Sequence, residues 1–199
     1  MDSPTHLASA QTDREVPLDR TALIVVDVQK GFDDAGFWGS RNNTACEENV
    51  RALIAAWRAS NQPIVFVRHH EDGTPLRSDE AGGEFKDVVE GRPDLLVTKT
   101  VHSAFHGTPD LHDWLGKHEI DKLVICGIAT NVCCETTARV GSDLGYEVGF
   151  AIDATHTFDQ DDHDGGTVTA DELARVTAAN LDPEFGRVLT AAEAIAELR

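Results

Sequence analysis

The feature that most restricts the fold of this chain is a set of short runs that are apolar at nearly every position: ALIVVDV (22–28), PIVFVR (63–68), DLLVTK (94–99), KLVICGI (122–128) and YEVGFAI (146–152), with a shorter RVLT at 187–190. A strand with one face in water alternates apolar and polar residues. Runs that do not alternate need cover on both faces, as strands of a central parallel sheet have. Helical patterns fill the intervals. Thr44-Ala45-Cys46-Glu47 has the spacing of a capping box and precedes Val50, Leu53, Ile54 and Trp57 on one helix face. Thr108-Pro109 reads as an N-cap and first helical residue ahead of Leu111, Trp114 and Leu115. A helix is predicted from about Cys133 to Leu144, stopped at Gly145. Thr169-Ala170-Asp171-Glu172 and Thr190-Ala191-Ala192-Glu193 are two further capping boxes. This alternation predicts right-handed βαβ units and an α/β fold, a three-layer αβα sandwich around a six-stranded, mainly parallel sheet.

The 199 residues suit one domain, expected over 19–199, with the polar residues 1–18 as a flexible tail. That tail lacks the apolar core of a secretory signal, and no run approaches the roughly 18 apolar residues of a membrane helix. A cytoplasmic protein is expected. The net charge of −18 argues against nucleic acid as a partner, because phosphate binding requires basic patches. Cys46, Cys126, Cys133 and Cys134 fit no zinc spacing and are expected as free thiols.

Two long, polar, glycine-rich stretches, 29–43 and 69–93, follow strand ends, where open α/β sheets bind ligands. Three polar residues share that edge: Asp27 at the end of the first strand, Lys99 at the end of the third, and Cys133 just after the fourth. A carboxylate inside ALIVVDV is costly to bury without a partner, and Lys99 is the natural counter-ion. At a helix start near Lys99, Cys133 is expected to favour its nucleophilic thiolate form. Asp27 is then a candidate general base. The backbone N–H of Cys133 and one from the tight Gly127-Ile128-Ala129 connection are candidate donors to an oxyanion. Cys46 and Cys126 read as core residues, and Cys134 as structural. Phe32, Phe37, Trp38 and Phe105 are candidate apolar walls of a substrate pocket, and His102 and Asn131 candidate polar contacts. The acidic run Asp159–Asp164, with His163, reads as a solvated loop, with recognition of a cationic substrate as the alternative.

ALIVVDVQKGF, TKTVHSAFHGT and LVICGIATNVCCETTARVGSDLGY, taken in order, resemble the isochorismatase-like cysteine hydrolase superfamily, which includes nicotinamidases and N-carbamoylsarcosine amidohydrolases. DATHTF (153–158) resembles the family's next strand end. The resemblance covers residues 20–180. It implies the isochorismatase-like fold and a catalytic triad of Asp27, Lys99 and Cys133. It also implies a cis peptide between Ile128 and Ala129, and an oxyanion hole from the N–H groups of Ala129 and Cys133. The implied reaction is attack by the cysteine on an amide carbon, loss of amine and hydrolysis of a thioester. The implied substrate is a small amide, carbamoyl compound or lactam, and the implied assembly a homodimer or homotetramer. Nicotinamidases also carry an Asp-Trp-His element that helps to hold a metal. Here Arg68-His69-His70-Glu71-Asp72 departs from that order and reads as a solvated loop tip. No cofactor and no metal are therefore expected, and nicotinamide is not the expected substrate. An isochorismatase-type vinyl-ether hydrolase, or a non-enzymatic thiol sensor or binding scaffold, are the competing readings.

Overall fold

The computed structural model describes residues 20–198, so the expected tail at 1–18 lies outside the described residues. The sheet strands are β1 (Thr21–Val26), β2 (Ile64–His69), β3 (Leu95–Lys99), β4 (Lys122–Ile128) and β5 (Glu147–His156), followed by a small hairpin of β6 (Gln160–Asp161) and β7 (Thr167–Val168), and last by β8 (Arg187–Leu189). They form a six-stranded sheet in the order β3-β2-β1-β4-β5-β8, with every neighbouring pair parallel. The apolar runs account for this. Leu23, Val25, Phe66, Val124 and Cys126 point into one core. Ala22, Ile24, Val26, Val65, Val67 and Ile125 point into the other. The helices are α1 (Ala35–Trp38), α2 (Cys46–Ala59), α3 (Leu111–Lys117), α4 (Glu135–Asp143), α5 (Ala170–Leu181) and α6 (Ala191–Ala196). Helices α2 and α6 cover the first face through Val50, Leu53, Trp57, Ala191 and Ala194. Helices α3, α4 and α5 cover the second through Leu111, Leu115, Ala138 and Leu181. The result is an αβα sandwich. Among the described residues, no helix is long and apolar enough to cross a membrane.

The capping boxes at Thr169 and Thr190 form as their spacing requires. The one expected at Thr44 does not. Ala45 is the N-cap of α2 and makes no side-chain cap bond. Glu47, which would have completed the box, instead binds Arg41 and Lys86, and these cations hold its carboxyl well below the ordinary range even though burial pushes it up. Thr108-Pro109 is likewise not a helix start. That bond is cis, and α3 begins at Leu111 with Asp110 accepting the Asp113 N–H at 2.8 Å. The segment after Ile128 winds as a π turn over Thr130–Cys134 before α4, and Gly145 follows the helix at φ +93°.

Strand β5 runs four residues beyond the apolar stretch YEVGFAI. Its register with β4 shifts, from Ile125 opposite Phe150 to Gly127 opposite Thr155. Carbonyls freed by this irregularity are met from across the fold: the Asn43 and Asn49 side-chain amides donate to Asp153 O at 2.8 and 2.7 Å. Residues 69–93 are anchored rather than loose. Buried Leu76 joins the core, the Gln29 side chain donates to Gly83 O at 3.1 Å, and the Lys86 N–H donates to Val28 O at 2.9 Å.

Candidate active site

At the end of β1 the backbone turns out of the strand. Asp27 has φ +53°, a left-handed conformation that aspartate tolerates better than most residues. Its N–H still donates to Val67 O at 3.0 Å, so the carboxylate is fixed to the sheet edge. Lys99 ends β3, directly opposite His69, the last residue of β2. Cys133 lies in the π turn after β4. Gly127 makes this approach possible. It has φ +127°, and a Cβ there would sit 1.9 Å from Val26 O. The Ile128–Ala129 peptide that follows is cis.

The Lys99 ammonium joins the site. Its Nζ lies 2.5 Å from Asp27 Oδ2, 3.1 Å from His69 Nδ1 and 3.4 Å from Cys133 Sγ. All four side chains are buried. Because the ammonium is a donor only, His69 Nδ1 accepts and the ring proton sits on Nε2, which faces Glu71 Oε2 at 3.5 Å. Asp27 Oδ1 is buried and has no hydrogen-bond partner among the described residues, so it is available to receive a proton. Burial pushes the Asp27 carboxyl up, and the attraction of Lys99 only partly reverses this. Burial pulls Lys99 down, but Asp27 more than offsets it and the ammonium is held charged. Burial, followed by the Lys99 charge, keeps His69 neutral.

For Cys133 the outcome differs from the sequence expectation. Burial, reinforced by the Asp27 charge, outweighs Lys99 and pushes the thiol up to about 12. The resting cysteine is a thiol beside a carboxylate, not a preformed thiolate. A base therefore has to act when substrate arrives, and the unpaired Asp27 Oδ1 fits that task.

A carboxylate oxygen of Asp27, a ring nitrogen of His69 and the Cys133 sulfur lie within 4.8 Å of one another, a spacing within which three donors can share a metal ion. The same three residues, however, already converge on the Lys99 ammonium. A metal there would meet a fixed positive charge at contact distance, so this donor set does not fit a metal ion.

Cys133 opens on a cavity of about 370 Å³. Phe32, Phe37, Trp38 and His102 line it, as their sequence positions suggest. Phe105 does not. It lies in the short Ala104–His106 helix and is buried in the core on the α3 and α4 side of the sheet, stacked on Tyr146 at 5.6 Å. Asn131 is also absent from the lining, its Oδ1 accepting from the Thr157 hydroxyl at 2.5 Å. His69 corrects the expectation of a solvated loop tip, since it ends a strand and is buried. Sequence reasoning also missed Glu71, Thr157 and Phe158 as walls of the cavity. The last two residues of DATHTF, which reads in sequence as a strand end, reach the site.

The chain matches the isochorismatase domain model over residues 21–192. It is 34% identical to the isochorismatase family protein YrdC of Bacillus subtilis, over 86% of this chain and 92% of the relative. It is 30% identical to the ureidoacrylate amidohydrolase RutB of Variovorax paradoxus, over 85% of this chain and 78% of the relative. Among solved structures it superposes on a cysteine hydrolase from Pseudomonas syringae pv. phaseolicola with a TM-score of 0.80 and 31% identity, covering 90% of this chain and 92% of that one.

Proposed function

The chain belongs to the isochorismatase family, and on that premise we propose that it hydrolyses a carbon–nitrogen bond of a small amide, carbamoyl compound or lactam through a thioester on Cys133. One observation carries the reading: a buried ammonium touches a carboxylate, an imidazole and a thiol at once, at the floor of an open cavity. The amidohydrolase among the relatives supports the same bond class.

In this reaction Asp27 takes the thiol proton as Cys133 Sγ attacks the amide carbon. The carbonyl oxygen becomes an oxyanion that accepts hydrogen bonds from the Ala129 and Cys133 N–H groups. Collapse breaks the carbon–nitrogen bond, and the proton held on Asp27 passes to the departing nitrogen. Water, deprotonated by Asp27, then attacks the thioester, releasing the acid and restoring the thiol. Lys99 stays protonated throughout, orients the carboxylate and limits charge build-up at the sulfur.

The test is a panel of primary amides, carbamoyl compounds and lactams assayed for ammonia or carboxylate release by the wild type and by Cys133→Ala. The wild type should turn over at least one class, and the variant should lose at least about 10³-fold of it. Retention of full activity by Cys133→Ala would remove the thioester route.

A further inference from the structure

Apart from the imidazoles of His69 and His102, the ionisable side chains that line the cavity beside Cys133 are carboxylic acids and the Cys133 thiol. The lining includes the carboxylates of Glu71 and Asp159 and contains no lysine or arginine. Lys99 reaches the sulfur from the protein side, fully enclosed and bound to Asp27. Neither lining carboxylate forms an ion pair with a lysine or arginine among the described residues. Glu71 Oε2 lies 3.5 Å from His69 Nε2, and Asp159 Oδ1 accepts the Ala170 N–H at 2.8 Å at the start of α5.

Four aromatic side chains, Phe32, Phe37, Trp38 and Phe158, form part of the remaining wall. The rings of Phe32, Trp38 and Phe158 pack with centroids 4.9, 5.6 and 6.1 Å apart. The indole is fixed because Trp38 Nε1 donates to Gly31 O at 2.9 Å. Aromatic faces carry negative quadrupole, and two acidic residues in the same lining add to that field. A carboxylate-bearing substrate would find no lysine or arginine in this lining.

We propose that the cavity selects small amides whose remote end is a cation, such as an ammonium or amidinium, and rejects those whose remote end is a carboxylate. This rests on the hydrolase reading for the word amide, but the charge preference belongs to the cavity walls and can be measured separately.

Two methanethiosulfonates, one ending in trimethylammonium and one in sulfonate, are reacted with Cys133 in the full-length protein. The cysteine sulfur displaces methanesulfinate and forms a mixed disulfide. Each rate is divided by that of the same reagent with 2-mercaptoethanol, and Cys133→Ser supplies the blank. The corrected cation-to-anion ratio should be at least tenfold. It should fall at least threefold in Asp159→Asn, which can still accept from Ala170, and further in Glu71→Gln/Asp159→Asn. A ratio at or below unity, or one unchanged in the double variant, overturns the proposal.

A second arm compares kcat/KM for trimethylammonioacetamide, its neutral isostere 3,3-dimethylbutanamide, and malonamate, with the first expected to lead. Amide turnover without that order would sink the cavity preference and leave the hydrolase reading intact. The labelling preference in a protein whose amide turnover survives Cys133→Ala would do the reverse.

Discussion

Replacing Asp27 by asparagine removes a charge from the site while keeping its shape, and it should separate the reactivity of the thiol from catalysis. In the wild type, a thiol pushed up to about 12 leaves only about one thiolate in ten thousand at pH 8. Burial is the largest cause and the Asp27 charge the next, with Lys99 opposing both. Asp27→Asn removes the second contribution and leaves the ammonium, 3.4 Å from the sulfur, without its carboxylate partner. Both changes favour the thiolate. Each unit by which the thiol falls is worth about 1.4 kcal/mol and a tenfold gain in thiolate. Alkylation of Cys133 by iodoacetamide at pH 8, followed by peptide mass with Cys133→Ser as blank, should therefore speed up at least tenfold. Amide turnover should fall by about 10²–10⁴, because no group remains to take the thiol proton and return it to the amine. Removing one partner of a buried ion pair ordinarily costs about 3–5 kcal/mol. Here the thiolate can replace part of the lost pairing, so Asp27→Asn should unfold at higher denaturant than Asp27→Asn/Cys133→Ser. Alkylation that is unchanged or slower in Asp27→Asn would refute this account of the site's electrostatics.

Two further outcomes follow from single positions. Gly127→Ala would place a Cβ 1.9 Å from Val26 O at a backbone angle that L residues rarely adopt. It should cost more than about 3 kcal/mol, a drop in Tm of roughly 6–12 °C by calorimetry; a drop under 2 °C would show that the β1–β4 approach can relax. His156 is fully buried, and burial, aided by Arg41, holds its pKa down to about 3 against 6.5 for a free imidazole. Its depressed folded value means that the unfolded chain takes up the proton first. Stability should therefore be complete above pH 6.5 and lost as pH falls from 6.5 toward 3, by about 2 kcal/mol at pH 5. Urea unfolding at pH 7 and pH 5 should show that loss in the wild type and a correspondingly smaller one in His156→Phe. Equal losses in both would assign the pH dependence elsewhere.

The parts of the site that the sequence revealed are those whose environment is local. Asp27 stands out because a carboxylate interrupts an apolar run. Lys99 and Cys133 stand out because parallel strands bring their C-terminal ends to one edge. His69 was hidden because its burial depends on pairing with Lys99 across β2 and β3, while its sequence neighbours are a histidine, an acid and a polar loop. Thr157 and Phe158 were hidden for a related reason. Strand β5 continues past YEVGFAI, where Asn43 and Asn49, more than a hundred residues earlier, satisfy the Asp153 carbonyl at the irregularity and the ladder with β4 resumes. The false capping box at Thr44 has a similar origin, since Glu47 is claimed by Arg41 and by the distant Lys86. The thiol's protonation was misjudged because a helix start and a lysine are visible in sequence, whereas the depth of burial that outweighs them is not.

Hydrolysis by the thioester route requires a covalent bond between Cys133 and the acyl half of an amide. Enzyme quenched in acid during turnover of the best substrate in the panel, then weighed intact and after digestion, should carry one acyl group on the peptide containing Cys133. That adduct should decay at the rate of carboxylate release. Steady turnover with Cys133 unmodified throughout, together with undiminished activity in Cys133→Ala, would contradict it.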